Sequence, residues 1–379
     1  MVSFDRNDRN PFRSAIPLIE EHGFLREIVV ATSAVHLSAL RRSRSRLDDK
    51  ALVHALAAKQ EAIRLLKRAL VHFEPANAHV VLAAIVFFIN FELIDTGRGD
   101  WKTHMQAAGK LIASIRQQSD DFAAASSSDS LCDAIIADCL TYHIIGSTTS
   151  PVDTAMAKIY DGLDMASILR KAELYSFHCS PPELLEIVHS TSRLCREIAS
   201  KTPGEKHLAR AAALMHGATS FKVRDWVEGI PNLSQHDDPE GRITIASAHQ
   251  AAVRLYILVA IPGATSVYGP VSADALVADI VRHLSSLPID HMLLKGSVWP
   301  TFLAGAQTDD PATREWCIDR LQSVWLSNPW VCPWGYVKTA MQIMRRIWKA
   351  RDRVVARDKT PMNWVHMLQR FPDNNCLIV

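Results

Sequence analysis

Two acidic residues, Glu92 and Asp95, lie in the most apolar part of the chain. Every residue from Val80 to Ile89 is apolar, and the helical pattern continues to Asp95. Residues three positions apart share one face of a helix, so these carboxylates could together hold a hard cation such as Mg²⁺. Substrate phosphate oxygens would fill the remaining coordination positions. We therefore expect Glu92 and Asp95 to be metal ligands and catalytic groups.

A second pair of acids, Asp133 and Asp138, lies in another apolar segment, Leu131 to Ile145. These residues are five positions apart, so they point to different sides of a helix. Both are further candidate metal ligands, and Asp138 is a candidate catalytic residue. The alternative is that all four acids belong to buried polar networks, because a carboxylate costs several kcal/mol to bury without a partner. The candidate partners in such networks are His104, Tyr142, His143 and Arg254.

Basic and aromatic residues complete a candidate substrate site. Arg98 and Lys102 follow the first acid pair closely and could neutralise a diphosphate group. Phe87, Phe88 and Trp299 offer aromatic faces that stabilise positive charge. We expect these five residues to bind substrate.

The segment that carries Glu92 is apolar on every side, which predicts a helix buried on every side. Its apolar decad is too short to cross a bilayer, so no membrane span is expected. Other segments repeat apolar residues at helical spacing, and no alternating strand pattern or βαβ order is present. The sequence predicts an all-α fold: one large multi-helix bundle over residues 1–379, with a flexible polar connection around 118–130.

Besides the helix at 80–95, the sequence predicts helices over most of the chain. They span 24–42, 48–73, 101–117, 131–145, 180–200, 204–226, 243–261 and 336–353, with a bent helix at 296–305 and another that opens at 310–311. The polar segment 231–241 is predicted to be a loop.

Composition excludes several classes of protein. The net charge of +2 gives no general reason to expect nucleic-acid binding. The seven cysteines form no CxxC pair, and the N-terminus has no signal peptide, so we expect reduced thiols in a cytoplasmic protein. Cys376 to Val379 match the prenylation pattern, although Val is not a usual final residue. The motifs of P-loop, zinc-protease and GxSxG hydrolase enzymes are missing from the sequence.

A series of short blocks runs in order from Asn10 to Gly335. The blocks are Asn10–Pro17, Ala34–Leu37, Phe91–Glu92 with Trp101 and His104, Asp138–His143, Cys179–Leu184, Arg254–Tyr256, Trp299–Gly305 and Trp334–Gly335. Together they resemble the helical regulatory (middle homology) domain that follows the zinc binuclear cluster in fungal-specific transcription factors. The resemblance implies an all-helical regulatory domain.

One departure from that family concerns DNA binding. The regulatory-domain pattern begins by Asn10, and the first cysteine is Cys132. We therefore expect this chain to lack the zinc cluster that reads the major groove, and to bind no nucleic acid directly.

The domain is also similar to the fungal alpha-humulene synthase type of sesquiterpene cyclase. With this similarity, the expected lack of a DNA-binding module favours an enzyme. It would be an atypical class I cyclase, a carbon–oxygen lyase that ionises farnesyl diphosphate with Mg²⁺ in an apolar helical cavity, in fungal secondary metabolism. Its expected partner is a prenyl diphosphate substrate, and a homodimer is left open. The alternative is a regulatory protein of the transcription-factor type, without a metal cofactor, that acts in the nucleus through a ligand or a protein partner.

Overall fold

The computed structural model describes twelve stretches of the chain. They are residues 10–43, 49–74, 77–121, 130–150, 158–160, 163–198, 203–261, 267–269, 271–326, 334–355, 363–370 and 376–379. Across these stretches the regular structure is helical, and they form no β-strand. The predicted all-α fold class is confirmed.

The chain divides into two compact units. The first comprises residues 1–143, 152–176 and 328–336, and the second comprises 144–151, 177–327 and 337–379. The prediction of a single domain over residues 1–379 stays a prediction. Of the predicted connection around 118–130, the part up to Asp121 is helical, Ser130 begins the next helix, and 122–129 lie outside the described residues.

The first unit contains the helices of the N-terminal part of the chain. They are α1 (Ala15–Glu21), α2 (Gly23–Ser43), α3 (Asp49–Val71), α4 (Ala78–Asp95), α5 (Trp101–Asp121), α6 (Ser130–Thr149) and α7 (Met165–Arg170). The last residues of α6, from Ile144, belong to the second unit.

The second unit contains most of the remaining helices. They are α8 (Pro182–Ile198), α9 (Glu205–Ser220), α10 (Val223–Glu228), α11 (Pro239–Ala260), α12 (Ala273–Ser285), α13 (Val298–Gln307), α14 (Pro311–Leu326), α15 (Gly335–Val355) and α16 (Trp364–Arg370). Gly335 and Tyr336, which open α15, belong to the first unit.

Helix α4 is the buried rod of the first unit, and it packs against α2 and α5. By length and composition alone α4, α11 and most of α2 could each cross a membrane, but most residues of α4 and α11 are buried inside the protein. Thr32 Oγ1 of α2 donates to the Phe87 carbonyl at 3.3 Å. Burial on all sides is what an apolar decad requires in a water-soluble helical core.

Two glycines, Gly97 and Gly99, follow the end of α4. The backbone N–H groups of Thr96 and Gly97 both donate to the Glu92 carbonyl, at 3.0 and 2.7 Å. Gly97 has φ 71° and Gly99 has φ 98°, in the left-handed region that glycine adopts without strain. The chain therefore turns sharply at 96–100 before α5 begins.

Helix α11 is the buried element of the second unit, and it packs against α8, α12 and α13. The prediction of one helix over 204–226 is wrong, because α9 stops at Ser220 and α10 starts at Val223. Phe221 is extended, with ψ 132°. The Gln250 side chain of α11 donates to the carbonyls of Ala218 and Phe221, at 2.8 and 2.9 Å, and satisfies acceptors that the break exposes.

Some other predictions differ from the structure. Helices α7, α12 and α16 form in segments for which no helix was predicted. The predicted loop at 231–241 contains a 3-10 turn, and α11 already begins at Pro239. Asp310 does open α14 as predicted, because its Oδ2 accepts from the Thr313 N–H at 2.8 Å.

Candidate functional site

The candidate site is the α4–α5 corner, which comprises the end of α4, residues 96–100 and the first turn of α5, with Lys59 of α3 beside them. Its central interaction is an ion pair between Lys59 and Glu92, with Lys59 Nζ 2.5 Å from Glu92 Oε1. Lys59 Nζ also lies 4.7 Å from the centroid of the Phe91 ring. Glu92 is only 5% exposed, so its carboxylate is committed to a neighbouring side chain.

Burial dominates the electrostatics of Glu92. Desolvation raises the pKa of this carboxyl, and the hydrogen bond and charge of Lys59 only partly oppose that rise. Gly99 packs directly on the Glu92 carboxylate, where any Cβ would overlap it. The geometry therefore leaves Glu92 poorly placed for the metal-ligand and catalytic roles predicted for it.

Asp95 lies one helical turn beyond Glu92 and is half-buried. Its backbone carbonyl oxygen packs against Gly335, where an added Cβ would overlap it. Within the described stretches, no three His, Cys, Asp or Glu side chains converge in a way that could hold a metal ion. The predicted magnesium site gains no support from this arrangement.

The second acid pair joins different neighbours. Asp133 Oδ1 accepts a hydrogen bond from Lys171 Nζ at 3.0 Å, in a partly exposed ion pair. Asp138 is half-buried, and it adds its charge to the burial that raises the pKa of Tyr142. Tyr142 itself donates to Asn90 Oδ1 at 3.1 Å. The structure thus places Asp133 in a surface pair and Asp138 beside a buried hydroxyl.

The other residues predicted as partners of these acids differ in position. His143 stacks on Tyr160, with ring centroids 4.0 Å apart. Arg254 belongs to the second unit. His104 does reach the corner, since Lys59 and Asp100 both influence its pKa. Lys59, the partner that Glu92 actually uses, gives no local sequence signal, because a lysine on an amphipathic helix ordinarily faces solvent.

Three residues at the corner carry buried polar atoms without a hydrogen-bond partner in the described structure. They are Arg98 (Nε and Nη2), Trp101 (Nε1) and His104 (Nε2). Trp101 is 1% exposed, so its indole N–H is enclosed by the protein. Burial, helped by Lys59, lowers the pKa of His104 to about 4, so this imidazole is neutral at physiological pH.

Aromatic rings surround these donors. The Phe88 and His104 rings stack with centroids 5.1 Å apart. Lys102 Nζ lies 5.6 Å from the Trp101 ring, and burial lowers the pKa of Lys102. Phe87 is half-buried on α4. Of the residues predicted to bind substrate, Phe88 lies one turn before Glu92 on α4, and Arg98 and Lys102 follow Glu92 within ten residues of the chain.

Trp299, the fifth predicted substrate-binding residue, belongs to the second unit. It is 1% exposed, and its Nε1 donates to Thr148 Oγ1 at 3.0 Å. Its ring stacks on His249, with centroids 5.6 Å apart. Trp299 thus acts as a core residue of that unit, with its one polar atom satisfied.

The C-terminal cysteine is also a core residue. Cys376 to Val379 are all buried in the second unit, and Thr149 Oγ1 donates to the Cys376 carbonyl at 3.3 Å. The Cys376 thiol would have to leave this core before it could be prenylated.

Comparison with known proteins identifies the family. Residues 1–378 match the profile described as the fungal specific transcription factor domain. The chain is also similar to the acriflavine sensitivity control protein acr-2 of Neurospora crassa, at 42% identity over an alignment of 387 residues. That alignment covers 100% of this chain and 64% of acr-2, so the chain spans a little under two thirds of its relative. No solved structure matches the chain.

These matches overturn the expectation of a sesquiterpene cyclase. The lyase activity and the prenyl diphosphate substrate were wrong, because the family matched along the whole chain is one of transcription factors. The regulatory alternative agrees with both matches, and with an acid at the corner that pairs with a lysine. The chain belongs to the fungal-specific transcription factor domain family.

Proposed function

We propose that this chain is the helical regulatory part of a protein that controls transcription, and that it acts in the control of sensitivity to toxic compounds such as acriflavine. The observation that carries the proposal is the 42% identity to an acriflavine sensitivity control protein across 100% of this chain. Similarity of this extent involves both compact units and not a single motif. In this function the two units serve to sense a ligand or a protein partner.

The structure supports a sensing role through its buried polar groups. The acid of the most apolar helix is neutralised by Lys59, which stabilises the fold and leaves no free carboxylate at that position. Arg98 and Trp101 nearby carry buried N–H groups that no described residue accepts, and a ligand could accept them. The net charge of +2 gives this chain little general attraction to DNA, so its influence on transcription would pass through a partner or an adjoining segment.

The proposal also places the protein in the nucleus, as expected for the family of transcription factors to which the chain belongs. A fluorescent fusion expressed from the native locus tests this location. We expect nuclear fluorescence with and without acriflavine, or nuclear entry on its addition. Fluorescence that stays cytoplasmic under both conditions would contradict the proposed site of action.

A deletion strain tests the function itself. We expect loss of the gene to change growth on acriflavine and to alter the abundance of a defined set of transcripts within an hour of exposure. Reintroduction of the intact gene should restore both, whereas a Lys59→Met copy, which breaks the buried ion pair, should restore neither. Unchanged growth together with unchanged transcripts would refute the proposal.

A further inference from the structure

One side of the Arg98 guanidinium group, the side formed by Nε and Nη2, is buried without a hydrogen-bond partner among the described residues. Nε and Nη2 are the two nitrogens that bind the two oxygens of a carboxylate side-on. A buried donor left unsatisfied costs free energy that a partner group would recover. The edge therefore suits an acceptor that none of the described residues supplies.

Two more buried nitrogen atoms belong to the first turn of α5, which follows Arg98 in the chain. Trp101 and His104 are three positions apart in α5, so their side chains share one face of that helix. Trp101 Nε1 and His104 Nε2 are both buried and unpartnered within the described part of the chain. Because α5 begins at Trp101, its positive end also favours an anion at this position.

The charges at the corner limit the charge of the ligand. The formally positive residues are balanced by an equal number of formally negative ones: Lys59, Arg98 and Lys102 against Glu92, Asp95 and Asp100. A neutral surrounding tolerates a single added negative charge far better than two or three. This balance favours a monocarboxylate over a phosphate or diphosphate.

The surrounding rings indicate what the carboxylate is attached to. Phe88 stacks on His104, and the Trp101 ring adjoins the same turn. Aromatic rings pack well against such faces, with a gain beyond the burial of apolar area. A planar aromatic group joined to a carboxylate fits both the donors and the rings.

We propose that the α4–α5 corner is the effector site of this protein and binds a small aromatic monocarboxylate. Arg98 binds the two carboxylate oxygens through Nε and Nη2, and the Trp101 indole N–H donates a third hydrogen bond. This assignment rests on the proposed function, since it names the class of ligand that the regulatory part senses.

Entry of a ligand requires a local movement, and residues 96–100 are suited to it. Arg98 is only half-buried, and it lies between two glycines with positive φ, Gly97 and Gly99. Movement of Arg98 about these glycines would break the hydrogen bond from the Gly97 N–H to the Glu92 carbonyl, so opening of the segment loosens the last turn of α4. Closure of the same segment would cover the bound carboxylate.

The experiment uses the full chain labelled with ¹⁵N, benzoate as the probe, and benzamide as its neutral counterpart. The chain has nine tryptophans, and the Trp101 indole N–H resonance is the one lost in Trp101→Phe. We expect benzoate to shift that resonance saturably, with a Kd on the order of 1 mM. Benzamide should leave it in place.

Variants of Arg98 make the test specific. Arg98→Gln should weaken benzoate binding about tenfold or more, and Arg98→Lys, which keeps the charge but lacks the planar edge, should also weaken it. Arg345→Gln, which removes an exposed arginine from the second unit, should change nothing. Calorimetric titration of the wild type and Arg98→Lys gives the same comparison if Trp101→Phe or Arg98→Gln fails to fold.

Three results would overturn the site: no shift at about 20 mM benzoate, an equal shift with benzamide, or undiminished binding in both Arg98 variants. Binding is measured on the purified chain, so it is independent of any transcript. A chain that binds benzoate through Arg98 while the deletion strain shows no phenotype would keep the site and refute the proposed function. A deletion strain with the expected phenotype, together with a purified chain that does not bind benzoate, would refute the site and keep the proposed function.

Discussion

Lys59 Nζ and Glu92 Oε1 lie 2.5 Å apart, so a lysine of α3 neutralises the one glutamate of the most apolar helix. Both side chains are largely enclosed, at 18% and 7% exposed. Removal of one partner from such a pair leaves an uncompensated buried charge.

We therefore expect Lys59→Met to lower the free energy of unfolding by about 3–5 kcal/mol. The double variant Lys59→Met/Glu92→Leu should recover most of that loss, because an apolar pair of similar volume needs no desolvation. Urea unfolding followed by circular dichroism measures both. Arg64→Met, which breaks an exposed ion pair with Glu61 on α3, is the control and should leave the midpoint unchanged. Equal stability of Lys59→Met and the wild type would contradict the structural role of the pair.

Gly335 packs on the backbone carbonyl of Asp95, where an added Cβ would overlap the oxygen. We expect Gly335→Ala to lower the free energy of unfolding by about 1–3 kcal/mol, because backbone must move to admit the methyl group. Gly23→Ala is a matched control. Gly23 also opens a helix, but its Cβ would make only ordinary contacts, at 3.5 Å or more. Thermal unfolding that ranks the two variants in the opposite order would count against this packing.

His249 is fully buried, and its Nε2 lies 3.0 Å from the Gly296 carbonyl oxygen. Burial lowers the pKa of His249 to about 4, below the ordinary value of 6.5, so the unfolded chain takes up the proton first as pH falls. The stability from neutral His249 is present above pH 6.5 and is lost progressively down to about pH 4. The loss is on the order of 3 kcal/mol. His249→Gln, which keeps a donor but does not titrate, should flatten the fall in urea midpoint over this range. An identical pH dependence in the variant would show that His249 is not responsible.

Thr148 Oγ1 accepts the indole N–H of Trp299 at 3.0 Å inside the second unit. We expect Thr148→Val to lower the free energy of unfolding by about 1–3 kcal/mol, because it leaves a buried N–H unpaired. In the Trp299→Phe background the same substitution should cost less, since no N–H remains to be satisfied. A double-mutant cycle from urea unfolding measures the coupling, and strict additivity would contradict the hydrogen bond as the source.

The sequence predicts well what is decided locally. The apolar decad predicts α4, and Gly97 and Gly99 predict its end, because both signals act within a few residues. The roles predicted for the site residues stay predictions. Glu92 and Phe88 lie one turn apart on α4, as the sequence indicates, but the partner of Glu92 lies 33 residues earlier on another helix. Pairing at that separation depends on how helices pack, which periodicity does not reveal.

Function was predicted less well than fold for a related reason. A buried carboxylate suits a metal site and an ion pair equally until its neighbour is known. The ion pair with Lys59 favours the second, and the sequence around Lys59 is typical of an ordinary surface lysine. The resemblance to a transcription factor family was the better guide, because it drew on blocks spread along the chain instead of one motif.

The side-chain amide of Gln250 donates hydrogen bonds to the carbonyls of Ala218 and Phe221, at the break between α9 and α10. The point at which α9 stops is thus fixed from 29 to 32 residues further along the chain, by one side chain of another helix. Substitution of Gln250 by leucine would leave the carbonyls of Ala218 and Phe221 without this donor, and would favour a helix that continues past Ser220.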